Sequence, residues 1–224
     1  MKARPILMQP DMVQATLREI KQEGTGKTQT RRLLKNPEYY GCPTGDCPHS
    51  LQEQCNNYMN EIIGECPYGK IGDLLWVRES CYIYGHWHTY IDWKSDGKER
   101  RKFIEHPDKK SMYVEQEPIS QPPKDGLLGY IKRPSIFMPR WASRITLEII
   151  DIRVERLRDI SRGDCISEGC PFPNIAKKYN PVKWFSDLWK SINGKDSWDA
   201  NPWVWVIEFK PHLMNVDNYT QDES

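Results

Sequence analysis

The run from Arg144 to Leu157 is the strongest constraint on the fold. Ile145, Leu147 and Ile149 fall on one phase of a strand, and Ile150, Ile152 and Val154 on the other. Two apolar residues in succession shift the alternation by one step. A strand that changes faces in mid-course needs a bulge, and a bulge bends the strand as a barrel corner requires. The final apolar run, Trp203 to Phe209, has Trp203, Trp205, Ile207 and Phe209 on one face. Two further strands are predicted, at Arg4–Met8 and at Leu74–Arg78, the latter opened by the turn signal Gly72-Asp73.

Helices fill the spaces between. Asp11 is the expected cap of a helix over Met12–Glu23, with Val13, Leu17 and Ile20 on one face and Gly24 as its stop. Ser161-Arg162-Gly163-Asp164 opens a short helix that Gly169 closes. Asn180-Pro181 opens another, with Trp184, Phe185, Leu188, Trp189 and Ile192 as its apolar stripe. Residues 36–72 and 80–135 break the pattern and read as two long insertions. The first is rich in Cys, Pro, Gly and Asn. The second is polar, aromatic and proline-rich, with strand pieces around Tyr82, Tyr84, Trp87, Tyr90 and Trp93 and a charged run over 94–110. The segment 116–125 carries three prolines and is no central strand. Residues 212–224 are expected to fray. The fold class expected is α+β: a small curved β-barrel with short flanking helices, in a single domain carrying two insertions.

The formal net charge is +1, so no global field draws a polyanion, and a nucleic-acid surface must be local. No apolar run reaches membrane-spanning length, and Met1–Met8 lacks the features of a signal peptide. These point to a cytoplasmic protein without a membrane partner. In that compartment the seven Cys are expected to be thiols or metal ligands. Cys42, Cys47, Cys55 and Cys66 would enclose a structural zinc ion in the first insertion, with free thiols as the alternative, while Cys81, Cys165 and Cys170 are expected to be ordinary thiols. No organic cofactor is expected. His86-Trp87-His88 is either a ligand pair or an alternation on an exposed strand.

Chemistry concentrates at Gly26-Lys27-Thr28-Gln29-Thr30-Arg31-Arg32. Lys supplies a compact movable charge and Arg a planar donor fork, a mixture suited to an anionic or polar planar ligand. The alternative is a basic turn that complements a helix C-terminus. A phosphate-cradling P-loop is disfavoured, because Lys21 stands where its first glycine is required and a helix precedes the motif. Lys132, Arg133, Arg140, Trp141 and Arg144 form a second group, read either as a phosphate-and-base surface or as a solvated strand face with Trp141 in the core.

The Gly26–Arg32 motif after a helix resembles the signature of ASCH domains, a PUA-like barrel family. Gly69–Glu79, Met138–Leu147 and Trp198–Val206 extend the likeness, in order, to the larger ASCH proteins carried by bacteriophages and prophages. The resemblance implies binding of RNA or a nucleoside. In small bacterial ASCH proteins that are amidohydrolases on N4-acetylcytidine, the family's Lys, Thr and Glu correspond to Lys27, Thr30 and Glu168, and a following Arg to Arg32. It therefore implies Lys27, Thr30 and Glu168 as catalytic residues, with Arg32 on the ligand; Arg140, Trp141 and Arg144 of the second group are expected to add ligand contacts on the strength of their cation-and-aromatic pattern. Thr30 would be the nucleophile, Lys27 its base, and Glu168 the group that returns a proton to the leaving amine. The rival expectations are an RNA-binding module without chemistry, an RNA-cleaving enzyme, and a protein that binds a host factor through its insertions.

Overall fold

The computed structural model describes residues 1–35, 62–116, 124–171 and 180–219. Five strands form the principal sheet: β1 (Ala3–Leu7), β2 (Gln29–Leu33), β3 (Leu74–Arg78), β8 (Thr146–Arg156) and β9 (Trp203–His212). Their order is β1-β3-β8-β9-β2, and only the β1–β3 pair is parallel. The anticipated bulge is present. The β8–β9 register shifts between Ile149 and Asp151, and the extra residue, Ile150, is 49 % exposed.

β9 is buried on both faces. Trp205, Ile207 and Phe209 join Ile6, Val13, Leu75, Val77, Ile145 and Leu147 in the main core, beneath helix α1 (Pro10–Lys21). Val204 and Val206 face the other way, against α2 (Arg162–Ser167) and α3 (Pro181–Asn193), with Leu157, Cys165, Phe185 and Trp189. Covering both faces explains why β9 reads as an almost unbroken apolar run.

The helix ends follow local chemistry. Ser161 and Asp164 form a reciprocal capping box at α2. The Asn180 side chain accepts from the backbone N–H groups of Val182 and Lys183 at α3. At α1 the expected cap is displaced: Gln9 is the N-cap, Pro10 fills the first helical position, and Asp11 lies in the first turn, where its charge favours the dipole.

The second insertion builds a sheet of its own from β4 (Cys81–Ile91), β5 (Glu99–Glu105), β6 (Ser111–Tyr113) and β7 (Gly129–Arg133), with the expected strand pieces around Tyr82, Tyr84, Trp87 and Tyr90 all in β4. Its inner face packs Cys81, Ile83, Phe103 and Ile131 against Met138 and Ala142. One expectation is corrected: residues 212–219 of the tail do not fray. Val216 packs with Leu74 and Trp76, the Asn215 amide donates to the carbonyl of Ser143 at 2.7 Å, and the Tyr219 hydroxyl meets Glu148 at 3.0 Å. Residues 220–224 lie outside the described residues, as does the 36–61 part of the first insertion.

No closed barrel forms among the described residues; the molecule is a mixed α+β fold with two sheets. β1 and β2 are the two edges of the principal sheet and do not pair. A side chain spans the gap instead: the Arg32 guanidinium donates to the Leu7 carbonyl at 2.6 Å. Among the described residues no helix is long and apolar enough to cross a membrane.

Gly26 shows what holds the cation-rich turn to this frame. A Cβ there would lie 2.2 Å from the Ala15 carbonyl oxygen and 2.4 Å from the Glu19 nitrogen, both backbone atoms of α1. The glycine is required for close packing. Gly26→Ala is expected to destabilise the fold by about 1–3 kcal/mol, as overpacking does, read as a lower midpoint in urea unfolding.

Candidate functional site

The split between β1 and β2 opens into a cleft of about 790 Å³, within the size range of small-molecule sites. One wall comes from the cation-rich turn and β2, through Lys27, Thr30, Arg31 and Arg32. Phe185, Leu188, Trp189 and Ile192 of α3 add apolar lining on the Arg31 side, where the Arg31 guanidinium lies 5.9 Å from the Phe185 ring centre. Met8, Met12 and Val13 add further apolar surface, and Glu79, between β3 and β4, and Glu115, just after β6, also line it. Apolar lining with a few cationic and hydroxyl groups suits a flat ring with a polar edge.

The turn is laced into place before any ligand is considered. The buried Glu19 carboxylate accepts from the Gly24 and Gly26 N–H groups at 2.9 and 2.8 Å. The Lys27 N–H donates to the Ala15 carbonyl, and the Thr28 N–H to the Ser167 carbonyl. Lys27 and Glu168 then meet as an isolated antiparallel bridge. Gly169 permits this at a φ of +98°, where a Cβ would lie 2.7 Å from Ala15 Cβ.

Lys27 and Glu168 are 141 positions apart in sequence and in contact in space. Lys27 Nζ lies 2.6 Å from Glu168 Oε2 and donates to the Glu168 carbonyl at 3.0 Å. Lys27 is only 1 % exposed. Its burial pulls the ammonium below its ordinary pKa of 10.5, and the Arg32 and Arg31 charges push the same way against the pull of Glu168. Thr30 is buried on β2 opposite Ile207 and lines the same cleft. The three residues therefore share one concavity.

Arg31 is the residue that sequence reasoning missed. Its wholly buried side chain donates to Glu168 Oε1 at 3.3 Å and to Glu155 Oε2 at 3.0 Å, and lies 3.4 Å from Asp164 Oδ2. Arg153 continues this network to Glu155, Asp164 and Glu208. Glu168 is thus held by a cation on each oxygen. The surplus of acids at 155, 164 and 168 was the available signal, because a buried arginine among them needs several carboxylates. Arg32 lines the cleft and also bridges to Leu7.

Arg140, Trp141 and Arg144 are not brought into the cleft wall. Arg140 pairs with Asp217 at 2.8 Å. The Trp141 indole N–H reaches Glu105 at 3.3 Å, and its ring packs on the second sheet's core. Arg144 binds Glu79 through two nitrogens, both at 2.9 Å, meets Glu115 at 2.7 Å and stacks on Tyr113, with 3.9 Å from guanidinium to ring centre. This group joins the two sheets, and carboxylates already neutralise both arginines. Burial pushes the Glu79 carboxyl up despite Arg144.

Cys42, Cys47 and Cys55 lie outside the described residues. Cys66 is buried in the main core; burial pushes its thiol up, while the backbone N–H groups of Tyr68 and Gly69 oppose that shift. Cys81, Cys165 and Cys170 are free and buried, with burial raising the Cys81 and Cys165 thiols to about 12. Among the described residues no cluster of three or more His, Cys, Asp or Glu is placed to hold a metal. No protein-family model, no curated protein and no solved structure matches this chain.

Proposed function

We propose that the chain is a PUA-like protein of the ASCH type and that its cleft hydrolyses the N-acyl bond of an N4-acylated cytidine. The observation that carries this reading is the 2.6 Å contact between Lys27 Nζ and Glu168 Oε2 in the wall of a cleft that Thr30 also lines. A lysine with a lowered pKa gives up its proton more readily than a solvated one and can serve as a base. Lys27 takes the Thr30 hydroxyl proton, and Thr30 Oγ1 attacks the acyl carbonyl carbon. The C–N4 bond breaks as the amine receives a proton relayed through Glu168, and cytidine leaves. Water then cleaves the acyl-threonine ester, releasing the carboxylic acid and restoring Thr30. The ring of the base lies against the apolar lining of the cleft.

Purified protein incubated with N4-acetylcytidine is expected to release cytidine and acetate, separated by chromatography. Thr30→Val, close in shape but without the hydroxyl, is expected to lower the rate about 10²-fold or more. The rate should rise with pH through the Lys27 ionisation, at a pH below the ordinary lysine range, because only the neutral amine accepts a proton. Inactivity over a panel of N-acylated nucleosides overturns the proposal.

One observation favours a second reading, a nucleoside-binding module without chemistry. Lys27 already spends two hydrogen bonds on Glu168, as a purely structural ion pair would. In that case a nucleoside raises the unfolding temperature but no product forms.

A further inference from the structure

The outer face of the second sheet has no role in the cleft. Side chains alternate along β4, so Tyr82, Tyr84, His86, His88 and Tyr90 share one face. Residues directly opposite in an antiparallel pair share that face too. β7 therefore adds Lys132 opposite Tyr82 and Tyr130 opposite Tyr84. β5 adds Ile104, Lys102 and Arg100 opposite His86, His88 and Tyr90. The reverse face is the one buried against Met138 and Ala142, so these rings are not needed for that core.

The rings are partly open to solvent. Tyr84, His86 and Tyr130 are half-buried, while His88 and Tyr90 are exposed. Tyr84 and Tyr130 stand 5.0 Å apart between ring centres. Lys110 lies 5.9 Å from the Tyr84 ring, and Lys132 5.8 Å from the Tyr82 ring. Asp92 and Asp96 hold Arg100, and Asp108 meets Lys110 and His106. Among the described residues Lys102 and Lys132 make no ion pair. A groove of about 840 Å³ runs beside His86, His88 and His106. Rings spaced along a strand, with free ammonium groups between them, match the two parts of a single-stranded nucleic acid: bases that stack and phosphates that need cations.

We propose that this open face docks single-stranded RNA, with Tyr84, His86, His88, Tyr90 and Tyr130 stacking on bases and Lys102 and Lys132 meeting phosphates. The choice of RNA over DNA rests on the cytidine reading of the cleft; the surface itself does not. β4 leaves the cleft rim directly after Ser80, so a strand held here runs toward the cleft.

The test is fluorescence anisotropy of the full chain with a labelled, unmodified RNA of about 12 nucleotides, within the usual range of site sizes. Binding is expected to weaken with salt. Tyr90→Ala and His88→Ala should each raise Kd by about 5- to 150-fold, the worth of one stacked base. Lys102→Ala should reduce the salt slope by about one phosphate contact. Because the probe carries no acyl group, failure of the hydrolysis assay leaves this result intact. The proposal is overturned by no anisotropy change at low salt, by equal affinity for duplex RNA or for the matching DNA strand, by binding to polyglutamate that Tyr90→Ala leaves unchanged, or by a loss that follows Arg140→Ala instead of Tyr90→Ala.

Discussion

Lys27→Met is expected to abolish release of cytidine from N4-acetylcytidine, a loss of at least about 10²–10⁴-fold, the usual contribution of a positioned base. Methionine keeps much of the length of lysine and none of its basicity. The variant should remain folded, because Glu168 retains Arg31 on its second oxygen. A pH scan of stability provides a separate reading. The folded Lys27 has a pKa below the 10.5 of the unfolded chain. Between those values the unfolded state binds the extra proton, so wild-type stability rises with pH across that window. Lys27→Met should lack that rise. Full activity in a folded Lys27→Met protein would place the chemistry on other residues.

Elements with a strong local signal were legible in the sequence. Ile149-Ile150 announced the bulge, and Ser161 with Asp164 and Asn180 with Pro181 announced two helix starts, because each depends on neighbours within a few residues. The spatial meeting of Lys27 with Glu168 came from resemblance, since nothing local links positions 141 residues apart. Closure was misjudged for a related reason. Strand patterns give the faces of a sheet, but whether its edges meet depends on what stands between them, and here Arg32 and the cleft do.

Arg31 was passed over because alternation along β2 sets it opposite to Thr30 and Arg32. Its burial is decided by carboxylates from β8 and α2, which the strand's own sequence does not reveal. Within the second sheet, β5 was hidden by polarity. Exposed positions such as Arg100 and Lys102 make β5 look like a solvated charge run, and only Phe103 marks its inner face.

Glu168→Gln is expected to cost the fold about 3–5 kcal/mol, the penalty for breaking a buried ion pair from one side. At this chain length that lowers the unfolding midpoint by roughly 6–20 °C. The size follows from what remains behind. Lys27 would lie almost wholly buried with its ammonium facing a neutral amide, and Arg31 would lose one of three carboxylates. Lys27→Met should cost less, since Glu168 keeps a cation. The double variant Lys27→Met/Glu168→Leu separates the pair from its surroundings. Well-packed apolar replacements of a buried ion pair are often neutral or stabilising, but Arg31 would still lack one partner here. The double variant should therefore recover most of what Glu168→Gln loses, with a coupling energy of about 0.5–3 kcal/mol in the cycle Lys27→Met, Glu168→Leu and both. Simple additivity in that cycle would mean that Lys27 and Glu168 do not depend on each other, and the proton relay drawn through them would have no physical basis.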